Sequence, residues 1–266
     1  MRPAMHAAWL TDTVTPDLDR AIHYTLLWGL DAVELRTVGG ASDRVPHVNE
    51  EKLRRRLDEH EVPVAAVVPG LFEGPASARA ARLNEVMELD ATLRFCARVG
   101  CARVVVSSFA AEDGATDAAA DVLRRAADAG ARHGVTIAVL NEPGMRCETG
   151  TALAALLDAA GHPSLRAAWS PTTAVQAGED PQAGLDALAG RVALVRCANT
   201  TVAGVPSPLS HGVVDWHAQL ATLAAQGFAG PLSLELHLEP KPRWGLREAT
   251  ALLERIRDAR RGSGTG

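Results

Sequence analysis

The sequence predicts a single α/β domain of the (β/α)8 TIM-barrel class, and three observations point there. Eight short apolar runs rich in β-branched residues alternate with longer segments of helical periodicity along the 266 residues, which is the rhythm of repeated βα units. Hydrophobic residues make up 47% of the chain, ample for one large core. No linker-like stretch interrupts residues 1–260, so the barrel is expected over that range and residues 261–266 are expected to be a disordered tail. An open doubly wound sheet shares the alternation. Its dinucleotide-binding form needs a glycine fingerprint after the first strand, and none is present: Gly39-Gly40 follows the second strand, lacks a third glycine and does not open directly into a helix.

In chain order, the first strand is read at Met5–Leu10, and the helix after it begins around Thr15-Pro16-Asp17, a capping residue with proline in the first turn. The second strand, Ala32–Arg36, leads to a helix at Asn49–His60, and the third, Val62–Val68, leads through Pro69–Pro75 to a long helix ending at Gly100. Arg103–Ser107 and Thr136–Leu140 are the fourth and fifth strands, separated by the alanine-rich helix Asp117–His133. A helix at Thr149–Ala160 precedes the sixth strand, Leu165–Ser170. A loop Pro171–Asp180 and a short helix then lead to the seventh, Ala193–Ala198. A glycine- and proline-rich loop spans Asn199–Val213, the helix Asp215–Gln226 feeds the eighth strand, and a last helix covers Leu246–Arg260.

Composition removes several classes of function. A net charge of −5 with scattered lysines and arginines gives no basic footprint for nucleic acid. No apolar run is long enough to span a bilayer, and Met1-Arg2-Pro3-Ala4-Met5-His6 lacks the apolar centre of a secretion signal, so a cytoplasmic location is expected. Cys96, Cys101, Cys147 and Cys197 show neither CxxC pairing nor scaffold density and read as small buried hydrophobes. The expected partner is a small-molecule substrate, with a homo-oligomer left open.

The stretch Gly230–Pro240 carries the densest chemistry. As a strand it places Ser233, Glu235 and His237 on one face and Leu232, Leu234, Leu236 and Leu238 on the other. Leucines packed under helices would turn the polar face toward the barrel interior. An edge strand with a solvated polar face is the plainer reading.

Five segments in this order carry a resemblance: Gly29–Arg36, His133–Val139, Ala168-Trp169-Ser170-Pro171, Leu209–Trp216 and Leu232-Ser233-Leu234-Glu235. Along nearly its whole length the chain resembles the xylose isomerase-like TIM-barrel superfamily of sugar phosphate isomerases and epimerases. The resemblance implies a divalent metal at the barrel mouth, held by Glu, Asp, His and Glu from the fifth to eighth strands. This sequence departs from that set. Where the family reads Glu-Asn-His-Pro, Trp-Asp-Pro and His-Val-Lys-Asp, it has Leu140-Asn141-Glu142-Pro143, Trp169-Ser170-Pro171 and Arg196-Cys197-Ala198-Asn199, and only Glu235 remains. A hard divalent cation needs several anionic oxygen or imidazole ligands, which leucine, serine and arginine cannot supply, so no cofactor is expected. A metal site rebuilt from Glu142, Glu235, His237 and His211 is the competing reading.

Active sites of this fold lie at the carboxyl ends of the strands. The expected catalytic groups are Glu142, Arg196, Glu235 and His237: Arg196 binds an oxyanion, a glutamate takes the proton beside a carbonyl, and His237 or His211 returns one. His6, Glu34, Arg36, Ser170, Asn199 and His211 are expected to contact substrate. Plainer roles stand beside these: an Arg196–Glu235 ion pair plugging a barrel whose strands lie about 4.8 Å apart, a Glu34–Arg36 salt bridge, and ordinary surface histidines. Trp9, Phe72, Trp169 and Trp244 either wall a cavity or belong to the core. Ser107 and Ser108 have no evident base and are not read as nucleophiles. The expected activity is a metal-independent isomerase, epimerase or lyase acting on a small polar carbonyl compound. A non-catalytic ligand-binding barrel and a metal-dependent enzyme with substitute ligands are the rivals.

Overall fold

The computed structural model describes residues 4–40, 43–112 and 116–262. In chain order the strands are β1 (His6–Leu10), β2 (Ala32–Leu35), β3 (Val64–Val67), β4 (Arg103–Val106), β5 (Thr136–Leu140), β6 (Leu165–Trp169), β7 (Val192–Cys197), a short pair β8 (Asn199–Thr200) and β9 (Pro206–Ser207), and β10 (Pro231–Leu234). Eight of them close a parallel barrel in the order β1-β10-β7-β6-β5-β4-β3-β2, while β8 and β9 form a separate antiparallel hairpin at the mouth. The helices are α1 (Leu18–Leu27), α2 (Glu50–Glu59), α3 (Arg79–Val99), α4 (Thr116–Arg132), α5 (Gly150–Ala160), α6 (Pro171–Gln176), α7 (Pro181–Leu188), α8 (Trp216–Ala225) and α9 (Lys241–Gly262).

Local sequence explains where most helices begin and end. Asp17, Asn49, Thr149 and Asp215 each accept a backbone N–H of the first turn through the side chain. Pro171 and Pro181 occupy first turns whose caps are Ser170 and Asp180, where a missing N–H has no helical partner to lose. Gly100 and Gly161 end α3 and α5 in the left-handed conformation.

The strands alternate as two layers. Trp9, Val33, Val104, Ile137, Trp169, Val195 and Leu232 pack outward under the helices in one continuous core. The inward phase holds Ala66, Val105, Ala138, Leu140, Ala168 and Leu194 as an apolar cluster, with a second of Ala8, Ala32 and Ala65. A fully buried leucine or valine contributes about 1.5–3 kcal/mol, so the outer layer carries most of the stability.

Four expectations change in detail. Pro16 precedes the cap of α1 rather than entering its first turn, because Asp17 itself caps. The loop expected at Pro171–Asp180 contains α6, which Ser170 and Pro171 initiate. The last helix starts at Lys241, five residues before Leu246, and runs to Gly262. The eighth barrel strand ends at Leu234, although the ladder still takes the Glu235 N–H, which donates to the Cys197 carbonyl at 3.0 Å. Strict alternation therefore stops before His237. Residues 263–266 of the expected tail lie outside the described residues. All four cysteines are buried and free. Trp9, Phe72 and Trp169 belong to the outer core, and Trp244 lies partly exposed, donating from Nε1 to the Glu239 carbonyl.

Candidate active site

At the carboxyl ends of the strands the barrel opens into a cavity of two lobes, about 310 and 320 Å3, with Leu140, Glu142, Arg196 and Glu235 common to the walls of both. The first lobe is completed largely by neutral polar side chains, among them Ser170, Thr172, Thr173, Gln176 and Thr200, with His237 at its rim. The second is completed by Arg36, Arg44, Glu73, Ser107 and Thr37. A ligand of sugar size fits across such a space.

Arg196 occupies the centre because β7 alternates. Leu194 and Arg196 point inward while Val195 and Cys197 pack outward. Its side chain is 2% exposed and crosses from β7 to β2, where Nη2 donates to Glu34 Oε1 at 2.8 Å. Ser233 Oγ donates to the other oxygen, Glu34 Oε2, at 2.5 Å. Nη1 stands 3.8 Å from Glu235 Oε2, beyond hydrogen-bond reach, and Nε has no hydrogen-bond partner although it is buried. Burial pushes the Glu34 carboxyl above the ordinary glutamate range, against the pull of Arg196 and the Ser233 hydroxyl.

Glu142 follows β5 in a turn that closes through hydrogen bonds to Cys147 and Met145. Asn141 locks that turn to β6: its amide donates to the Ser170 carbonyl at 2.9 Å and its oxygen accepts the Ser170 N–H at 2.7 Å. The Glu142 carboxyl accepts from Ser107 Oγ at 2.5 Å. Burial raises its proton affinity more than Ser107 and Arg196 lower it, which moves it toward the range where a carboxyl both gives and takes protons near neutrality. His237 is about half exposed, with Nε2 3.7 Å from Glu235 Oε1.

The structure thus brings Glu142, Arg196, Glu235 and His237 to one cavity, with Arg36 in the second lobe and Ser170 in the first. Four expected substrate contacts are placed otherwise. His6 lies at the opposite end of the barrel, at the start of β1, with its Nδ1 against the Ala4 carbonyl and Arg103 and Arg260 nearby. His211 is exposed, hydrogen-bonded to Ser210 and absent from both lobes. Glu34 lies beneath the cavity with both oxygens engaged, and its partner is Arg196; Arg36 pairs with Asp12 at 2.8 Å. Asn199 borders the first lobe, but its amide clasps the mouth loop, donating to the carbonyls of Leu209 and Val214 and accepting the N–H groups of Thr200 and Val214.

A family model described as a xylose isomerase-like TIM barrel matches residues 23–256. The chain belongs to that family. No curated protein sequence matches it. Among solved structures, the fold is similar to an L-ribulose 3-epimerase (TM-score 0.81, 17% identity, covering 98% of this chain and 97% of the other). It is similar also to the probable 3-DHS dehydratase AsbF of Bacillus anthracis (0.79, 13%, 94% and 99%). A third likeness is to an IOLI protein with a binding zinc atom (0.75, 16%, 97% and 98%).

The donor set at this xylose isomerase-like mouth does not fit a divalent ion. Leu140 has no donor, Ser170 Oγ accepts from Thr173, and a guanidinium fills the third position. Among the described residues no three His, Cys, Asp or Glu side chains stand close enough to form a metal site. Glu142, Glu235 and His237 share the first lobe, but His211 does not join them.

Sequence reasoning missed Arg44, Glu73 and the hydrogen-bonding role of Ser107. Ser107 carried a signal, standing one residue past β4 in the inward phase. Arg44 and Glu73 come from long loops, which no period places.

Proposed function

We propose that the protein is a metal-independent isomerase, epimerase or lyase that moves a proton on a small polyhydroxylated carbonyl compound. The observation that carries this reading is Glu142: a partly buried carboxyl of raised proton affinity, in a wall shared by two sugar-sized lobes, with the Arg196 guanidinium in the same wall. As a carboxylate, Glu142 takes the proton from the carbon beside the substrate carbonyl, and the electron pair of that bond moves onto the carbonyl oxygen. The resulting enolate oxygen is stabilised by Arg196, whose Nη1 is not engaged by Glu34. A fixed cation at a developing oxyanion is the role a Lewis acid plays elsewhere, and it costs no reorganisation during the reaction. A proton passed from His237 through Glu235 to carbon completes an isomerisation or epimerisation, whereas the same proton passed to a neighbouring hydroxyl lets it leave as water while the enolate pair reforms the carbonyl, which completes an elimination.

Support comes from the family, from the donor set and from neighbours described as epimerases and a dehydratase. The test is incorporation of solvent deuterium into a panel of ketoses, aldoses and their oxidised forms. Incorporation by protein stripped with a chelator, abolished by Glu142→Gln, is the expected result. Exchange that requires an added divalent ion overturns metal independence. Ligand binding with no exchange across the panel leaves a binding barrel instead.

A further inference from the structure

The two lobes differ in the hydrogen-bonding groups they present, and that difference names a substrate class. We infer that the second lobe seats a carboxylate while the first seats the hydroxyl-bearing remainder, so the substrate is a sugar acid rather than a neutral sugar. The inference rests on the cavity being the substrate site, as the proposed function does.

Three guanidiniums converge on the second lobe: Arg36 from the end of β2, Arg44 from the following loop and Arg196 from β7. Each carries five N–H donors, more than the protein contacts use. Arg36 donates from Nε to Asp12, and Arg44 donates from Nε to the Val68 carbonyl at 3.4 Å and from Nη2 to Glu73 at 3.0 Å. Arg196 retains a buried Nε with no partner and an Nη1 too far from Glu235 to bond it.

Arg44 is seated rather than adrift. A Cβ at Gly70 would lie 2.3 Å from its Cζ, and Gly70 also has φ +80, so glycine both turns that loop and leaves room for the guanidinium. The first lobe, by contrast, is lined by the hydroxyls of Ser170, Thr172, Thr173 and Thr200 and the amide of Gln176; the threonine protons are donated within the protein, which leaves their oxygens to accept from a polyol.

Each guanidinium is paired with one carboxylate, Arg36 with Asp12, Arg44 with Glu73 and Arg196 with Glu34, so it is the spare N–H donors, not an unopposed charge, that select an anionic ligand. Planar guanidiniums pair with a planar carboxylate by two parallel hydrogen bonds.

Calorimetric titration of the full chain with D-gluconate and D-xylonate, against D-glucitol and xylitol and against D-glucitol 6-phosphate, tests the assignment without turnover. The aldonates are expected to bind about tenfold tighter than the alditols. Arg44→Gln, at a side chain 38% exposed and so tolerant of change, removes most of that preference, and Arg44→Lys restores part of it. Aldonates that bind no tighter than alditols, including the case in which neither binds, overturn the inference. A tighter phosphate ester overturns the carboxylate. Acid-selective binding with no deuterium exchange counts against the proposed activity alone. Exchange into neutral sugars without acid selectivity counts against the carboxylate lobe alone.

Discussion

The barrel interior has two sectors built on opposite principles. From β3 round to β7, small and branched apolar side chains, Ala66, Val105, Ala138, Leu140, Ala168 and Leu194, fill the inward layer. Across from them, the inward phase of β10 and β2 holds Ser233 and Glu34 beside the alanines Ala8 and Ala32, and Arg196 reaches over from β7 to bond Glu34. One sector contributes stability through burial. The other places two opposite charges where desolvation offsets most of their attraction. An arrangement so poor in net stability is informative because it fixes one guanidinium at the floor of the mouth, in a set orientation, with donors to spare.

Removing one charge sharpens this contrast most. Arg196→Met strands Glu34 in the interior and is expected to cost about 3–5 kcal/mol in denaturant unfolding, with deuterium exchange lost as well. Glu34→Leu combined with Arg196→Met is expected to regain most of the stability and none of the activity, since a matched apolar pair replaces a buried ion pair at little or no cost. In the apolar sector Leu194→Ala is expected to cost about 2–5 kcal/mol through the space it leaves. A double variant no more stable than Arg196→Met would show that the two charges are not coupled.

Glu142 separates stability from activity. Glu142→Gln retains an acceptor for Ser107 and removes a carboxyl that burial disfavours when charged. Exchange is expected to fall by about 10²–10⁴ while stability at neutral pH stays level or rises by about 0.5–2 kcal/mol. The sign follows from linkage. The folded-state proton affinity lies above the unfolded one, so the stabilisation from this group is complete below the ordinary glutamate range. It is lost as pH rises through the folded-state value. The rising limb of the rate profile, set by the base form, is expected above the ordinary glutamate range. Titration of rate and of unfolding in both proteins checks this, and a limb unchanged in residual Glu142→Gln activity would assign the base elsewhere.

His237 is the milder case. Its ring is about half exposed and 3.7 Å from Glu235, a contact that solvent screens. His237→Ala is expected to lower exchange by about tenfold or less, with the loss on the proton-return step visible as altered partitioning between exchange and product. No change in that partitioning would remove it from the proton path.

The barrel was legible because hydrophobic period and capping chemistry agree along the chain, from Asp17 before α1 to Gly161 after α5. The central site was legible in part for the same reason: alternation places Arg196, Glu142 and Glu235 inward, one strand at a time. Alternation does not say which inward groups meet. Glu34 is distant from Arg196 in sequence and lies across the barrel, so the chain alone suggested Glu235 or Arg36 as partners. Residues from loops were beyond reach, because Arg44 and Glu73 owe their positions to turns such as the one at Gly70. Phase along a strand also carries no information about which end of the barrel a residue occupies. His6 begins β1 and therefore faces away from the mouth.

That last point gives the smallest effect and a clean control. His211 stands in the loop between β9 and α8, exposed and bonded to Ser210, and His6 stands at the far end of β1. Neither lines either lobe. His211→Ala and His6→Ala are each expected to change exchange by less than about twofold, as surface substitutions away from a site usually do. Burial lowers the proton affinity of His6, so its folded-state value lies below the unfolded one, and any cost of keeping it neutral appears as pH falls, not at the pH of the assay. A tenfold loss in His211→Ala would mean that the loop swings over the mouth and that the proton donor is this histidine. The polar sector would then extend from the barrel floor to its rim.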